Sequence, residues 1–265
     1  MMEHTPERMV PETYCGPAFW EHVLRYHFAC RYVRGCEVVD IACGEGYGTA
    51  ALAKIAKSCI GFDCATEVVA HARSKYGIDA RVGHAESIPL ADASADAVVT
   101  FETIEHISNP AIFLNEIFRI LKPGGRLIIS TPNKPLYNKA EPKNLYHLSE
   151  MDRSEFTALL ADKYAVDSIL GQTFGDSALD RLQSLLNPLS NTLSYKLRRG
   201  VEAVGRALTP LAARDTPEGR ASAIQNLANS PNNLFYLWHP NAVRKVRNWD
   251  RRPPRYMVAL ATKPR

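Results

Sequence analysis

The segment Val39 to Gly48, VDIACGEGYG, sets three glycines at alternate positions, Gly44, Gly46 and Gly48, between a strand-like run and an alanine-rich helical one. Glycine has no Cβ, so a ligand can lie against the backbone there with helix N–H groups turned toward it. The spacing is G-x-G-x-G rather than the G-x-G-x-x-G of a dinucleotide loop. Asp40 ends the strand-like run and offers a carboxylate to an ammonium group. Asp63 closes the next apolar run, 23 residues further on. A carboxylate accepts on two oxygens and can take both hydroxyls of a ribose. One acid for an ammonium and one for a ribose suit S-adenosylmethionine better than a dinucleotide.

Such residues need a scaffold that brings strand ends together, and the surrounding sequence supplies one. Strand candidates are Glu37 to Ile41, Ser58 to Asp63, Ala80 to Gly83, Ala95 to Phe101, Arg126 to Ser130, Tyr164 to Leu170 and Tyr256 to Thr262. Between them lie helical stretches: Gly48 to Ala56, Thr66 to Tyr76 with Thr66 as N-cap, and Ala111 to Leu121, stopped by Lys122-Pro-Gly-Gly125. Asp152 with Glu155 three residues later opens another helix, to about Ala161. A further helix, Phe19 to Val33, precedes the first strand and carries Glu21, His22, Arg25 and Tyr26. Strands alternating with helices predict an α/β fold: a Rossmann-like, seven-stranded, mostly parallel sheet with helices on both faces. The expected organisation is an N-terminal helical cap (1–35), a core (36–170), a helical and loop-rich insertion (171–255) and a closing strand (256–265).

Composition agrees with a folded, core-forming chain. In 265 residues, 46% are hydrophobic and 23% charged, which excludes a mainly disordered or fibrous protein. No run of about 18 uncharged apolar residues is present. Met1 to Val10 holds Glu3, His4, Glu7 and Arg8 with no apolar core, unlike a signal peptide, so a cytoplasmic location is expected. The cysteines Cys15, Cys30, Cys36, Cys43, Cys59 and Cys64 form no C-x-x-C pair and match no zinc spacing. No acidic cluster suited to a divalent ion is evident from the spacing, so no metal is expected.

The sequence resembles the class I S-adenosylmethionine-dependent methyltransferases, of the type 11 kind. Beyond the glycine loop, FETIEHI (Phe101 to Ile107), LKPGG (Leu121 to Gly125), STPN (Ser130 to Asn133) and YHLSE (Tyr146 to Glu150) fall in that family's order. WEHVLRYHFA (Trp20 to Ala29) followed by IACGEGYG is similar to a subgroup associated with bacterial polysaccharide and sugar methylation. The resemblance covers about Pro6 to Leu170 and the last strand. It implies that Asp40, Ala42, Gly44, Gly46 and Gly48 hold the methionine moiety, with Ala42 in the usual place of the first loop glycine. It assigns Asp63 to the ribose, Ala85 and Glu86 to the adenine, and Glu102 and Thr103 to the sulfonium end. His84 stands where the family commonly has an Asp.

For a hydroxyl acceptor a general base helps, and His suits neutral pH. Related enzymes often place such a group at the position of His106, with Glu105 as its orienting acid. His147, after the fifth strand, is a second catalytic candidate. His22, Arg25 and Tyr26 are candidates for closing over the acceptor. The expected reaction is O-methylation of a sugar or glycan-type acceptor, phosphorylated or lipid-linked forms included. Alternatives are O- or N-methylation of a natural-product or quinone-type small molecule, and a SAM-binding protein without catalysis.

The insertion Gly171 to Arg255 holds 13 Lys/Arg against 6 Asp/Glu, a net of +7 in a chain of formal charge +4. Leucines at helical spacing from Leu179 to Ala213 alternate with Arg181, Lys196, Arg198, Arg199 and Arg206, and Pro217, Pro231, Pro240, Pro253 and Pro254 follow. A plain helical cap, an acceptor lid that meets phosphate or carboxylate, and a peripheral membrane contact all fit this pattern. Nucleic acid is disfavoured as a partner, since no RNA-binding module is recognisable.

Overall fold

A computed structural model describes residues 17–136, 144, 146–172, 243 and 254–265. The expected helix Leu179 to Ala213, the basic residues within it, Pro217, Pro231, Pro240, Pro253 and Cys15 lie outside the described residues. The chain runs α1 (Pro17–Cys30), β1 (Glu37–Ile41), α2 (Tyr47–Ala53), β2 (Ser58–Asp63), α3 (Thr66–Tyr76), β3 (Asp79–Val82) and β4 (Ala95–Phe101). A 3-10 turn (Ile104–His106) follows, then α4 (Pro110–Ile120), β5 (Leu121–Pro132), α5 (Arg153–Ala161), β6 (Ala165–Gln172) and β7 (Tyr256–Thr262).

The strands make one seven-stranded sheet in the order β3-β2-β1-β4-β5-β7-β6. All pairs from β3 to β5 are parallel, and β7 alone runs antiparallel to both its neighbours. Strand order reverses between β1 and β4, so the loops after these two strands leave in opposite directions and open a crevice at their carboxyl ends.

Side chains alternate across the sheet with the period of two that a strand imposes. Val38, Ala97, Val99, Ile128, Val258 and Leu260 face α1 and α2, packing with Phe19, Trp20, Leu24, Phe28 and Leu52. Val39, Ile41, Val98, Leu127, Ile129 and Met257 face the other way, against Phe113, Ile117, Phe156 and Leu160. Helix α1 is therefore built into one of the two core layers.

The ends of the elements follow local chemistry. Asp152 and Glu155 form the expected capping box: Asp152 Oδ1 accepts from Ser154 N and Glu155 N at 2.8 and 2.9 Å, and Asp152 N donates to Glu155 Oε2 at 2.8 Å. Pro110 opens α4 behind Asn109, whose side chain accepts from Ile112 N. The expectation of Thr66 as N-cap of α3 is corrected. Ala65 holds that position without a side-chain cap, and Asp63 Oδ1 accepts from Ala65 N at 3.0 Å instead. Helix α1 ends at Cys30 rather than Val33, and α2 ends at Ala53 rather than Ala56. Strand β5 starts earlier than expected because Leu121 already pairs with Ala95, and a register shift then absorbs the Lys-Pro-Gly-Gly turn before Ala97 meets Arg126.

Candidate functional site

Every segment singled out for donor binding leaves the carboxyl end of a strand. Ala42 follows β1, Asp63 ends β2, Ala85 lies beyond β3, and Glu102 follows β4. Two non-glycine residues here adopt left-handed backbone, Ala42 at φ 58° and Glu102 at φ 51°. Each costs about 1–2 kcal/mol, a kind of strain that concentrates at functional sites.

The loop residues divide into two kinds. Ala42 is exposed, and a Cβ built on Gly44 (φ 54°) would meet nothing within 4 Å. Gly46 and Gly48 face the protein instead. A Cβ on Gly46 would stand 2.7 Å from Ala72 Cβ, and one on Gly48 would stand 2.0 Å from Tyr26 Cζ. Their missing side chains let the loop sit on α3 and α1. Gly44 N donates to Asp63 Oδ2 at 3.0 Å and Cys43 N to Phe62 O at 2.9 Å, pinning the loop to the end of β2. Glu45, buried between the glycines, braces the same loop on α3 through Lys75 Nζ at 2.8 Å and His71 Nε2 at 3.0 Å.

Asp40 is fully buried beneath this loop. Thr49 Oγ1 donates to its Oδ2 at 2.6 Å, and the Tyr26 hydroxyl lies 3.3 Å from both oxygens. Burial pushes its carboxyl up to about 7, against the opposing pull of the Thr49 and Tyr26 hydrogen bonds. Its partners are thus protein hydroxyls. Asp63 is half-buried, with one backbone N–H on each oxygen, from Gly44 and Ala65. Beyond β3, His84 and Glu86 are exposed and Ala85 is half-buried, in a turn closed by Ser87 N to His84 O.

On the far side of the crevice, Glu102 Oε1 accepts from Ser130 Oγ at 2.7 Å. Thr103 is buried, its hydroxyl donating to Phe101 O at 3.1 Å and accepting from Thr100 at 3.0 Å. Glu105 is also buried; its Oε2 accepts from Thr131 Oγ1, and its backbone oxygen holds Leu148 N and Ser149 N at 2.7 and 3.0 Å. Those two bonds draw the loop carrying His147 down onto the turn carrying His106. Burial, then the Glu102 charge, raise the Glu105 carboxyl well above its usual range. His106 Nδ1 meets Tyr146 O at 3.1 Å, so a backbone carbonyl fills the orienting role expected of Glu105. His147 Nδ1 meets Glu150 Oε1 at 3.0 Å, and the two imidazoles lie edge to face at 5.0 Å. The structure thus brings Glu105, His106 and His147 into one cluster, one ligand-type atom from each lying within 4.8 Å of the others. All three are the residues expected to be catalytic.

Arg25 and Tyr26, expected to close over the acceptor, have their side chains packed inside the protein. Arg25 is 0% exposed: Nη1 donates to Gln172 Oε1 at 2.8 Å, Nη2 lies 3.9 Å from Glu102 Oε1, and the guanidinium sits over the Tyr256 ring at 4.5 Å. Gln172 Nε2 in turn donates to Glu21 O at 3.0 Å, fastening α1 to β6. His22 is only partly buried, and burial with the Arg25 charge holds its imidazole well below the usual pKa. Residues that sequence reasoning missed include Thr49, Ser130, Thr131, Glu150, Gln172 and Tyr256. Glu150 was within reach, three residues after His147. Gln172 and Tyr256 face each other only through the β6–β7 register, which no local pattern announces.

Residues 39–129 match a protein family described as a methyltransferase domain. A Mycolicibacterium smegmatis protein described as an S-adenosylmethionine-dependent methyltransferase is 37% identical over 179 residues, 64% of this chain and 68% of that protein. A Mycobacterium tuberculosis protein of the same description is 35% identical over 170 residues, 62% of this chain and 61% of its own length. A ubiquinone biosynthesis O-methyltransferase of Xanthomonas oryzae is 34% identical over 117 residues, 42% of this chain and 49% of the relative. Among solved structures, a SAM-dependent methyltransferase from Thermotoga maritima is similar with a TM-score of 0.56 at 18% identity, covering 91% of this chain and 89% of that one. The cyclase SpnF is similar at 0.52 and 18%, over 92% of this chain and 81% of its own. At such identities the likeness shows the fold alone, and a cyclase on that fold is a reminder that fold does not dictate reaction. Sequence identity to the mycobacterial relatives carries the assignment further: this chain belongs to the S-adenosylmethionine-dependent methyltransferases, with S-adenosylmethionine as the methyl donor.

Proposed function

We propose that the chain transfers the methyl group of S-adenosylmethionine to a hydroxyl oxygen of a sugar- or glycan-type acceptor at the carboxyl edge of the sheet. The observation that carries the donor half is Asp63. Each of its oxygens is fixed by one backbone N–H, from Gly44 and Ala65, and each retains acceptor capacity for one ribose hydroxyl. The methionine end then lies along Ala42 and Gly44, and the adenine rests against Ala85 with Glu86 beside it. The sulfonium faces Glu102 and Thr103. Asp40 acts from beneath the loop, as the buried acid that holds α1 and α2 in place and completes its charge when an ammonium arrives.

In the transfer, a lone pair of the acceptor oxygen forms the O–C bond as the C–S bond breaks, releasing S-adenosylhomocysteine and a proton. Alignment behind the methyl carbon supplies much of the rate. His106 suits the proton's removal: with its Nδ1 hydrogen on Tyr146 O, the lone pair of the neutral ring lies on Nε2. His147, held by Glu150, lies beside it. Residues 171–255, with their excess of arginine, are the proposed acceptor lid over the 36–170 core, and His22 the proposed contact from the N-terminal cap.

A second acceptor class, a quinone-type small molecule, has its own support in the relatives named as ubiquinone biosynthesis O-methyltransferases. Mass spectrometry of donor-dependent products separates the two. A panel of nucleotide-sugars, lipid-linked sugars and free glycans is run beside catechols and prenylated phenols. A single added methyl on a sugar oxygen is the expected result. Methylation confined to the phenols moves the assignment to the second class, and methyl transfer to nitrogen alone contradicts both.

A further inference from the structure

We infer that Glu21 is a specificity-determining residue of the acceptor site, whose two carboxylate oxygens take a pair of neighbouring hydroxyls on the acceptor. The inference rests on the proposed transfer to a hydroxyl acceptor and narrows that acceptor to a diol.

Unmet hydrogen bonding is the first support. Glu21 is 1% exposed, yet neither carboxylate oxygen makes a hydrogen bond of good geometry. A helical Glu ordinarily pairs with an Arg four residues on. Here Arg25 is turned elsewhere: Nη1 donates to Gln172 Oε1 at 2.8 Å, and Nη2 lies 3.9 Å from Glu102 Oε1. Arg25 Nε and Nη2 are themselves left without a hydrogen bond. Two buried acceptor atoms and two buried donor atoms in one cluster cost free energy that a ligand able to play both roles recovers.

Position is the second. Gln172 Nε2 donates to Glu21 O at 3.0 Å, and the Arg25 guanidinium sits over the Tyr256 ring. The Glu21 turn of α1 is thereby fastened where β6 ends and β7 begins, on the side of the crevice where Glu102 follows β4. The proposed function sets the sulfonium at Glu102, so the cluster borders the place where the reacting hydroxyl stands.

Charge is the third. Burial pushes the Glu21 carboxyl up to about 7, while Arg25 and Arg255 draw it down, Glu102 pushes it up and the Tyr256 hydroxyl draws it down. Two acids and two arginines together disfavour a free cation and a free anion alike. A neutral group that donates to a carboxylate and accepts from a guanidinium is a hydroxyl, and two carboxylate oxygens take two of them. A saccharide or a catechol supplies such a pair, and a simple phenol does not. The amino-acid end of the donor is the competing occupant.

The test uses the full chain loaded with S-adenosylhomocysteine. The probes are methyl glycosides of glucose, mannose and galactose, their monodeoxy forms, catechol and phenol, with binding read by saturation-transfer NMR. At least one diol probe should bind about tenfold or more tightly than its monodeoxy or monohydroxy counterpart. Glu21→Gln should erase that difference and keep the wild-type affinity for S-adenosylmethionine, measured by calorimetry. A sugar bound in this way identifies a saccharide acceptor, and catechol alone an aromatic diol; either supports the inference. No diol bound by the wild type, or every monodeoxy form bound as tightly as its parent, overturns it whatever the variant's fold. So does a difference that persists in Glu21→Gln. Donor affinity that falls in Glu21→Gln at an unchanged thermal midpoint gives the cluster to the amino-acid end of the donor, and also overturns it. A diol bound through Glu21 but never methylated with S-adenosylmethionine present counts against the proposed function and leaves the diol site standing.

Discussion

At the scale of single residues, the acids of the donor loop divide the work by their surroundings. Asp63 keeps capacity at the surface of the crevice, whereas Asp40 is spent on Thr49 and Tyr26. Because the Asp40 carboxyl moves from an ordinary 3.8 up to about 7, the folded chain binds more protons than the unfolded one between those values. Its contribution is therefore most favourable below the lower value and is lost as pH rises through the upper. The slope is at most about 1.4 kcal/mol per pH unit. In the donor-free protein, Asp40→Asn cannot ionise, so its urea midpoints should change less than the wild type's across that window. Parallel curves would contradict the assignment. The identity of both acids was legible in the sequence, since strand, loop and helix are contiguous there. Their division of labour was not, because Tyr26 reaches Asp40 from a helix that sequence reading had turned toward the acceptor.

At the scale of elements, the glycine loop is a joint between β1, α3 and α1, and its glycines differ in consequence. Replacing Gly by Ala inside a helix ordinarily stabilises by about 1 kcal/mol. At Gly48, in the first turn of α2, the new Cβ would fall inside the Tyr26 ring, 2.0 Å from Cζ, so the sign reverses. Gly48→Ala should cost about 1–3 kcal/mol in denaturant unfolding, the range for an overpacked core. Gly44→Ala meets no atom and should cost only the left-handed penalty of about 1–2 kcal/mol. A Gly48→Ala variant as stable as the wild type, or more stable, would contradict the joint. The helices and strands themselves were largely legible, because burial on one stripe or on alternate positions writes itself into the sequence. What escaped was contact across distant segments. The capping box at Asp152 was readable; the clasp of Arg25, Gln172 and Tyr256 was not, since it depends on the register of β6 against β7.

At the scale of the molecule, one sheet separates two apolar layers and opens its functional crevice where strand order reverses. Among the described residues the two layers pack on opposite faces of the sheet, so conservative losses in them should add. Ile128→Val lies on the α1 face and Ile117→Val on the α4 face. Each should cost about 0.5–1.5 kcal/mol, with a double variant equal to the sum within about 0.5 kcal/mol. A larger discrepancy would mean the layers are coupled. Among the described residues no helix is long and apolar enough to cross a membrane. The alternation of strands and helices made the α/β class readable from the start. The residues Glu105, His106 and His147 were named from the sequence, but their convergence within 4.8 Å depends on β4 and β5 lying side by side. The central claim, that this crevice binds S-adenosylmethionine through Asp63, is tested most directly by calorimetric titration of the wild type beside Asp63→Ala. Saturable binding to the wild type, weakened by tenfold or more in the variant, is the predicted result. Equal affinity in both would show that the donor lies elsewhere and would contradict the account.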